Sequence, residues 1–199
     1  MAKPLQSAWS DPSPKLAKVA RQIAQSRSGP IVDLACGEGR HFALFLSLGR
    51  NVIGIDIEKS KLHFARRMLD LYVVACRNPG RAHLVQCDLE NDEWPVRKGV
   101  AGGVVIVDYY SRRVVERAAT IPAQDGAFYL QTFGGQGGNW VSLPHAGLVR
   151  TILEECGYEF VFYRERAVGP VGRDAVSVHT LAKRTRIPRE PSTHTEKSE

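Results

Sequence analysis

Cysteine is scarce and poorly placed for ligation. Cys36, Cys76, Cys87 and Cys156 form no CxxC pair and no ligand spacing with histidine, so neither a disulfide framework nor a zinc site is signalled and no metal is expected. No run approaches the ~20 apolar residues of a membrane span, so no membrane partner is expected. The opening "MAKPLQSAWSDPSPK" lacks the apolar core of a secretory signal, and a cytoplasmic location is the expectation. There is no internal repeat. With 43% hydrophobic and 24% charged residues, wholesale disorder is excluded as well.

What is present suits one domain. A chain of 199 residues buries roughly two-thirds to three-quarters of its unfolded surface. The expected domain spans residues 1–183, with a flexible polar tail over 184–199. The net charge of +6 suggests an anionic partner, but several cations fall in "AKRTRIPREPSTHTEKSE", which reads as a solvated tail.

Leu16, Val19, Ala20, Ile23 and Ala24 recur at helical spacing and predict an N-terminal amphipathic helix over about 14–27. "IVDLA" then reads as a buried strand, "RHFALFLSLG" as a helix capped by Gly49, and "NVIGIDI" as a second strand. Glu58 to Cys76 places Leu62, Ala65, Met68, Leu69 and Tyr72 on one helical face. "AHLVQCD" is a third strand, followed by the polar loop "LENDEWPVRKGVA". "GGVVIVDYY" lacks alternation and predicts a central buried strand. "SRRVVERAAT" is a short helix, "GAFYLQTF" a fifth strand, and "LPHAGLVRTILEECG" a helix with Pro144 near its first turn. "YEFVFYRER" and "DAVSVHTLAKR" have no helix between them and predict an antiparallel pair. The fold class is therefore α/β: a Rossmann-like, mostly parallel seven-stranded sheet, helices on both faces, and a C-terminal antiparallel hairpin.

In such sheets a ligand lies at the carboxyl ends of the strands, beside the point where strand order reverses. The first strand ends in "DLACGEGR". Gly37 and Gly39 can take positive φ and leave backbone bare for a ligand, while Arg40 is expected to start the following helix. The dinucleotide fingerprint fails here, because Phe42 occupies its third glycine position. Acids take over: Asp33 before the turn, Asp56 ending the second strand 17 residues after Gly39, and Asp88 ending the third. Glycine with three acids describes a pocket for a cationic nucleoside rather than for phosphate.

"DLACGEGR" with "GIDI" and "CDL" resembles the class I S-adenosylmethionine (SAM)-dependent methyltransferases, from about Ile31 to Lys183. The resemblance implies SAM as cofactor. It assigns the methionine part to Asp33, Ala35, Gly37 and Gly39, the ribose to Asp56 and the adenine to Asp88 with Leu89, with Cys36, Arg40 and Ile57 as further cofactor-binding residues. Ala35 stands where the family's first glycine is usual. "VVIVDYYSRR", "YLQTF" and "GGQGGNWVSLPHAGL" resemble small bacterial methyltransferases of the tellurite-resistance type. Ser111, Gln131 and the pair Ala146 and Gly147 depart from that pattern on the acceptor side.

Transfer from a sulfonium is an in-line displacement that gains from alignment and desolvation, and an oxygen or nitrogen nucleophile gains further from a nearby base. Asp108, Tyr109, Tyr110 and His145 are the candidate catalytic residues, with His41 more readily a structural histidine. Asp108 is alternatively the cap of the helix "SRRVVER", and the tyrosines alternatively roof the core. Arg112 and Arg113 pair with Glu116 or hold an anionic acceptor. Trp140, after the glycine-rich run 134–139, is a lid candidate. Cys36 and Cys87 read as small fillers. A small-molecule acceptor is the favoured partner. The alternatives are nucleic-acid or protein methylation through the basic surface, and SAM binding without catalysis; the oligomeric state is left open.

Overall fold

Alternating runs of β-branched residues and amphipathic segments assemble into one seven-stranded sheet in the computed structural model, which describes residues 10–26, 29–75, 80–134, 141–170, 172 and 174–186. The strands are β1 (Ile31–Leu34), β2 (Val52–Asp56), β3 (Ala82–Gln86), β4 (Ala101–Val107), β5 (Pro122–Gln131), β6 (Tyr158–Val168) and β7 (Ala175–Arg184). Their order is β3-β2-β1-β4-β5-β7-β6. The first five run parallel, and β7 pairs antiparallel with both β5 and β6. Strand order reverses between β1 and β4, so the crevice of interest opens beyond Leu34 and Val107. β4 is buried at every residue, as its unbroken apolar run requires.

Helices α1 (Pro14–Ile23), α2 (Phe42–Leu46) and α3 (Lys59–Ala75) cover one face, while α4 (Arg112–Ala118) and α5 (Leu148–Glu155) cover the other. On the first face Leu16, Ala20 and Ile23 of α1 pack with Phe42, Phe45, Tyr129 and Leu181. On the second, Val114 and Val115 of α4 and Val149, Ile152 and Leu153 of α5 pack with Val104, Ile106 and Phe128. The long connection from β3 to β4 has no helix; Trp94 seals it instead, donating its indole N–H to the Leu89 carbonyl at 2.9 Å.

Several boundaries differ from the sequence expectation. α1 ends at Ile23 with Ala24 as its C-cap, short of residue 27. α2 has five residues and starts at Phe42 rather than Arg40, with His41 at its N-cap. α5 starts at Leu148, because Gly147 takes φ +76° and His145 forms an antiparallel bridge with Ala175. Arg184, assigned to the tail by composition, is the buried last residue of β7. Its guanidinium donates to the carbonyls of Thr120, Pro122 and Cys156 at 3.0, 2.7 and 3.3 Å.

The β6 and β7 pairing carries a bulge between Phe160 and Phe162. Phe160 pairs with Ala182 and Phe162 with Leu181, so Val161 is the extra residue. A single added residue turns the alternation of side chains over. Tyr158, Phe160 and Tyr163 accordingly pack on the α4 and α5 face, while Phe162 packs on the α1 face.

Candidate active site

The turn after β1 is built from left-handed backbone. Ala35, Gly37 and Gly39 have φ of +53°, +55° and +74°. Gly39 donates its N–H to the Cys36 carbonyl at 3.0 Å and accepts from the Phe42 N–H at 3.0 Å, which turns the chain into α2. The two glycines serve different ends. A Cβ on Gly37 would project into open space with only the Lys61 Cδ at 3.9 Å, whereas one on Gly39 would lie 2.5 Å from the Phe42 ring. Gly37 keeps a ligand surface clear; Gly39 makes room for packing.

Phe42, the residue that breaks the dinucleotide fingerprint, is fully buried, and its ring also lies over Gly54 of β2. A Cβ on Gly54 would meet it at 2.3 Å. The glycine that lets helix and sheet come together therefore stands on the strand rather than on the helix. Sequence reasoning missed Gly54, although a lone glycine inside a buried strand is the signal for a close approach.

Asp56 ends β2 with its carboxylate held by backbone. Its Oδ2 accepts from the Gly37 N–H at 2.7 Å and its Oδ1 from the Glu58 N–H at 2.9 Å. Each oxygen retains acceptor capacity toward the cavity. Asp88, beyond β3, accepts from the Asn91 side chain and the Glu90 N–H, both at 2.9 Å. These bonds, the Asn91 side chain first, hold its carboxyl below the usual range. Tyr109 donates to Glu90 at 3.1 Å, and its phenol is pushed up by burial and then by that carboxylate.

A cavity of about 430 Å³ brings Ala35, Gly37, Asp56, Ile57, Asp88, Leu89, Asp108 and Tyr109 together. Glu58, Lys61, Cys87 and Glu90 complete the wall. A smaller one of about 230 Å³ shares Ala35, Gly37 and Lys61 and adds Cys36, Arg40 and His41. Lys61 is paired with Glu58, so the larger cavity presents mostly carboxylates. Such a lining repels a pyrophosphate and suits a ligand with ribose hydroxyls and a positive charge.

Other expected residues stand elsewhere. Asp33 is buried beneath the turn, its Oδ2 3.5 Å from the Nδ1 of buried His41, and it is not among the residues lining the larger cavity. Tyr110 is half-buried over the α4 face, its phenol pushed up to about 12 by burial. His145 is exposed, 3.7 Å from the Asp174 carboxylate, in the turn before α5. Trp140 and the glycine run before it lie outside the described residues, apart from Gly134. Arg112 pairs with Glu116 at 2.7 Å on an exposed face. Burial, then Asp33 and Asp56, raises the Cys36 thiol, and burial raises that of Cys87, so neither is activated as a nucleophile.

Asp108 ends β4 with φ +56° and is not the cap of α4, which is Ser111, accepting from the Val114 N–H. Asp108 instead takes the Arg40 guanidinium at 2.7 Å and the Gln131 amide at 3.3 Å. Gln131 in turn accepts from Ser13 at 2.7 Å and from Tyr129 at 3.2 Å, and the Tyr129 hydroxyl lies 3.2 Å from the His179 Nε2. A continuous polar chain thus runs from the glycine turn across the ends of β4, β5 and β7.

No family model matches the chain, and no curated protein does. Solved structures do match. A SAM-dependent methyltransferase from Methanosarcina mazei superposes with TM-score 0.64 at 14% identity, covering 88% of this chain and 99% of that one. The chain has the methyltransferase fold. Magnesium protoporphyrin IX methyltransferase from Synechocystis, solved with bound SAM, gives TM-score 0.60 at 17% identity over 90% of this chain and 79% of that one. Geranyl diphosphate C-methyltransferase from Streptomyces coelicolor, solved with Mg2+, geranyl diphosphate and S-adenosyl-L-homocysteine, gives 0.63 at 13% over 84% and 76%. At these identities the likeness is one of fold, and it is the fold whose switch point carries the cavity described above.

Proposed function

We propose that the protein is a SAM-dependent methyltransferase acting on a small molecule. One observation carries this reading: a left-handed glycine turn and an acid-lined cavity meet at the switch point of a methyltransferase fold, with Gly37 open and Asp56 aimed by two backbone N–H groups. Asp56 would hold the ribose, Asp88 and Leu89 the adenine end, and Ala35, Gly37 and Arg40 the methionine end. Bound SAM supplies a methyl group on a sulfonium sulfur. An acceptor that carries a proton gives it up on methylation, and a residue at the cavity would have to receive it. Asp108 would take that proton: it lines the cavity, and although its Oδ2 holds Arg40 and its Oδ1 accepts from Gln131, each oxygen keeps a further lone pair. The aromatic wall of Tyr109 excludes water and faces a cation favourably. The resemblance to the tellurite-resistance type supports including selenite and tellurite beside thiols in an acceptor panel.

The test is calorimetric titration with SAM, S-adenosylhomocysteine and NAD in parallel, followed by acceptor panels read by S-adenosylhomocysteine release. Binding of both sulfur nucleosides and silence toward NAD is the expected result. NAD binding, or silence from both sulfur nucleosides, would sink the assignment.

A further inference from the structure

A second cavity, of about 290 Å³, opens on the α1 face beyond the end of β5. Its wall includes Lys15 of α1, Thr132 after β5, Arg164 and Arg166 of β6, and His179 of β7. Strand register explains the grouping. Arg164 lies opposite His179, which lies opposite Gln131, and Arg166 lies opposite Ser177. Arg164 and Arg166 share the face of Phe162, which α1 covers.

The charge of this cavity is opposite to that of the first. Among the described residues, no carboxylate stands within ion-pair distance of Lys15, Arg164 or Arg166. Glu165 also borders the cavity, but its carboxylate is occupied by the Gly147 N–H at 3.0 and 3.2 Å and by the Tyr163 hydroxyl. The N-terminus of α1 adds to the positive field: its first turn holds no acid, and its cap Ser13 is fastened to Gln131. Neutral His179 agrees with that field, its imidazole driven down to about 4 by burial first and then by Lys15 and Arg164. Two guanidiniums and an ammonium around one concavity match the oxygens of a carboxylate or phosphate.

The position relative to the first cavity gives this charge a use. Gln131 precedes Thr132 of the basic cavity and donates to Asp108 of the acidic one. An acceptor anchored by an oxyanion between Arg164, Arg166 and Lys15 would need only enough length to pass Gln131 to bring its other end to Asp108. We propose that the basic cavity binds an oxyanion group, carboxylate or phosphate, of the methyl acceptor. This rests on the methyltransferase reading above and narrows its substrate to anionic small molecules.

The experiment is backbone NMR of the full chain, titrated separately with inorganic phosphate and with acetate, with glycerol as the neutral control and SAM on the same samples. Saturable shifts from at least one anion at Thr132, Arg164, Arg166, Ser177 and His179, absent with glycerol, are expected. The double variant Arg164→Gln, Arg166→Gln should weaken that anion at least about tenfold, two charge-assisted contacts being lost, and leave SAM affinity within about twofold. Lys15→Gln, on exposed α1 surface, is the second variant should the double variant not fold, with a smaller loss expected. The stronger anion separates phosphate from carboxylate. No localised shift with either anion, or equal binding in the variants, overturns the proposal while SAM binding keeps the enzyme reading intact. Anion binding here without SAM binding overturns the acceptor role together with that reading.

Discussion

At the scale of single residues, Ala35 and Gly37 take the same left-handed conformation for different reasons. A non-glycine residue there costs about 1–2 kcal/mol, partly offset by the greater freedom glycine has in the unfolded chain. Ala35→Gly should therefore raise stability by roughly 0.5–1 kcal/mol, read as a higher urea midpoint; a lower midpoint would mean that the methyl group contributes packing. Gly37→Val places a side chain in the open cradle and should abolish SAM binding in calorimetry. Asp56→Asn removes the charge and keeps an acceptor oxygen for only one of the Gly37 and Glu58 N–H groups, which the aspartate meets with separate oxygens. It should weaken SAM roughly tenfold to a hundredfold, the range for a charged hydrogen bond. Unchanged affinity in either variant would show that the cavity is not the cofactor site.

At the scale of elements, the packing of α2 on β2 depends on Phe42 lying over Gly54. Gly54→Ala should cost about 2 kcal/mol through overpacking, and adding Phe42→Leu should recover part of that loss in thermal unfolding. Full additivity of the two changes would argue that the contact is not shared. The same pair shows where the sequence was legible. Glycine turn, strand-end acids and the buried run of β4 are local signals, and the strands they mark were readable. Gly54 facing Phe42 is a contact between elements, so its purpose was hidden until both were placed. Helix ends were the least readable: Arg40 and Pro144 look like first-turn residues, but Gly39 and Gly147 turn the backbone left-handed and delay both helices.

At the scale of the whole molecule, cavities of opposite sign lie on either side of Gln131, and neither the basic cavity nor the polar chain reaching His179 was legible in the sequence, because Lys15 and Arg164 are far apart along it. His179 also leaves a trace in stability. Its folded pKa of about 4 lies below the ordinary 6.5, so the unfolded chain takes up its proton first. The stability it allows is full above pH 6.5 and falls as pH drops toward 4. The urea midpoint should decrease across that window, and His179→Gln should make the decrease shallower; an identical slope would mean that other groups account for it. Finally, the bulge at Val161 isolates the two halves of β6 from each other. Val161 has no partner on β7, so its deletion would leave Phe160 opposite Ala182 and Phe162 opposite Leu181, with Arg164 and Arg166 keeping their partners and their face. The spare residue thus acts as slack in the strand, where length can change without disturbing the charge beyond it.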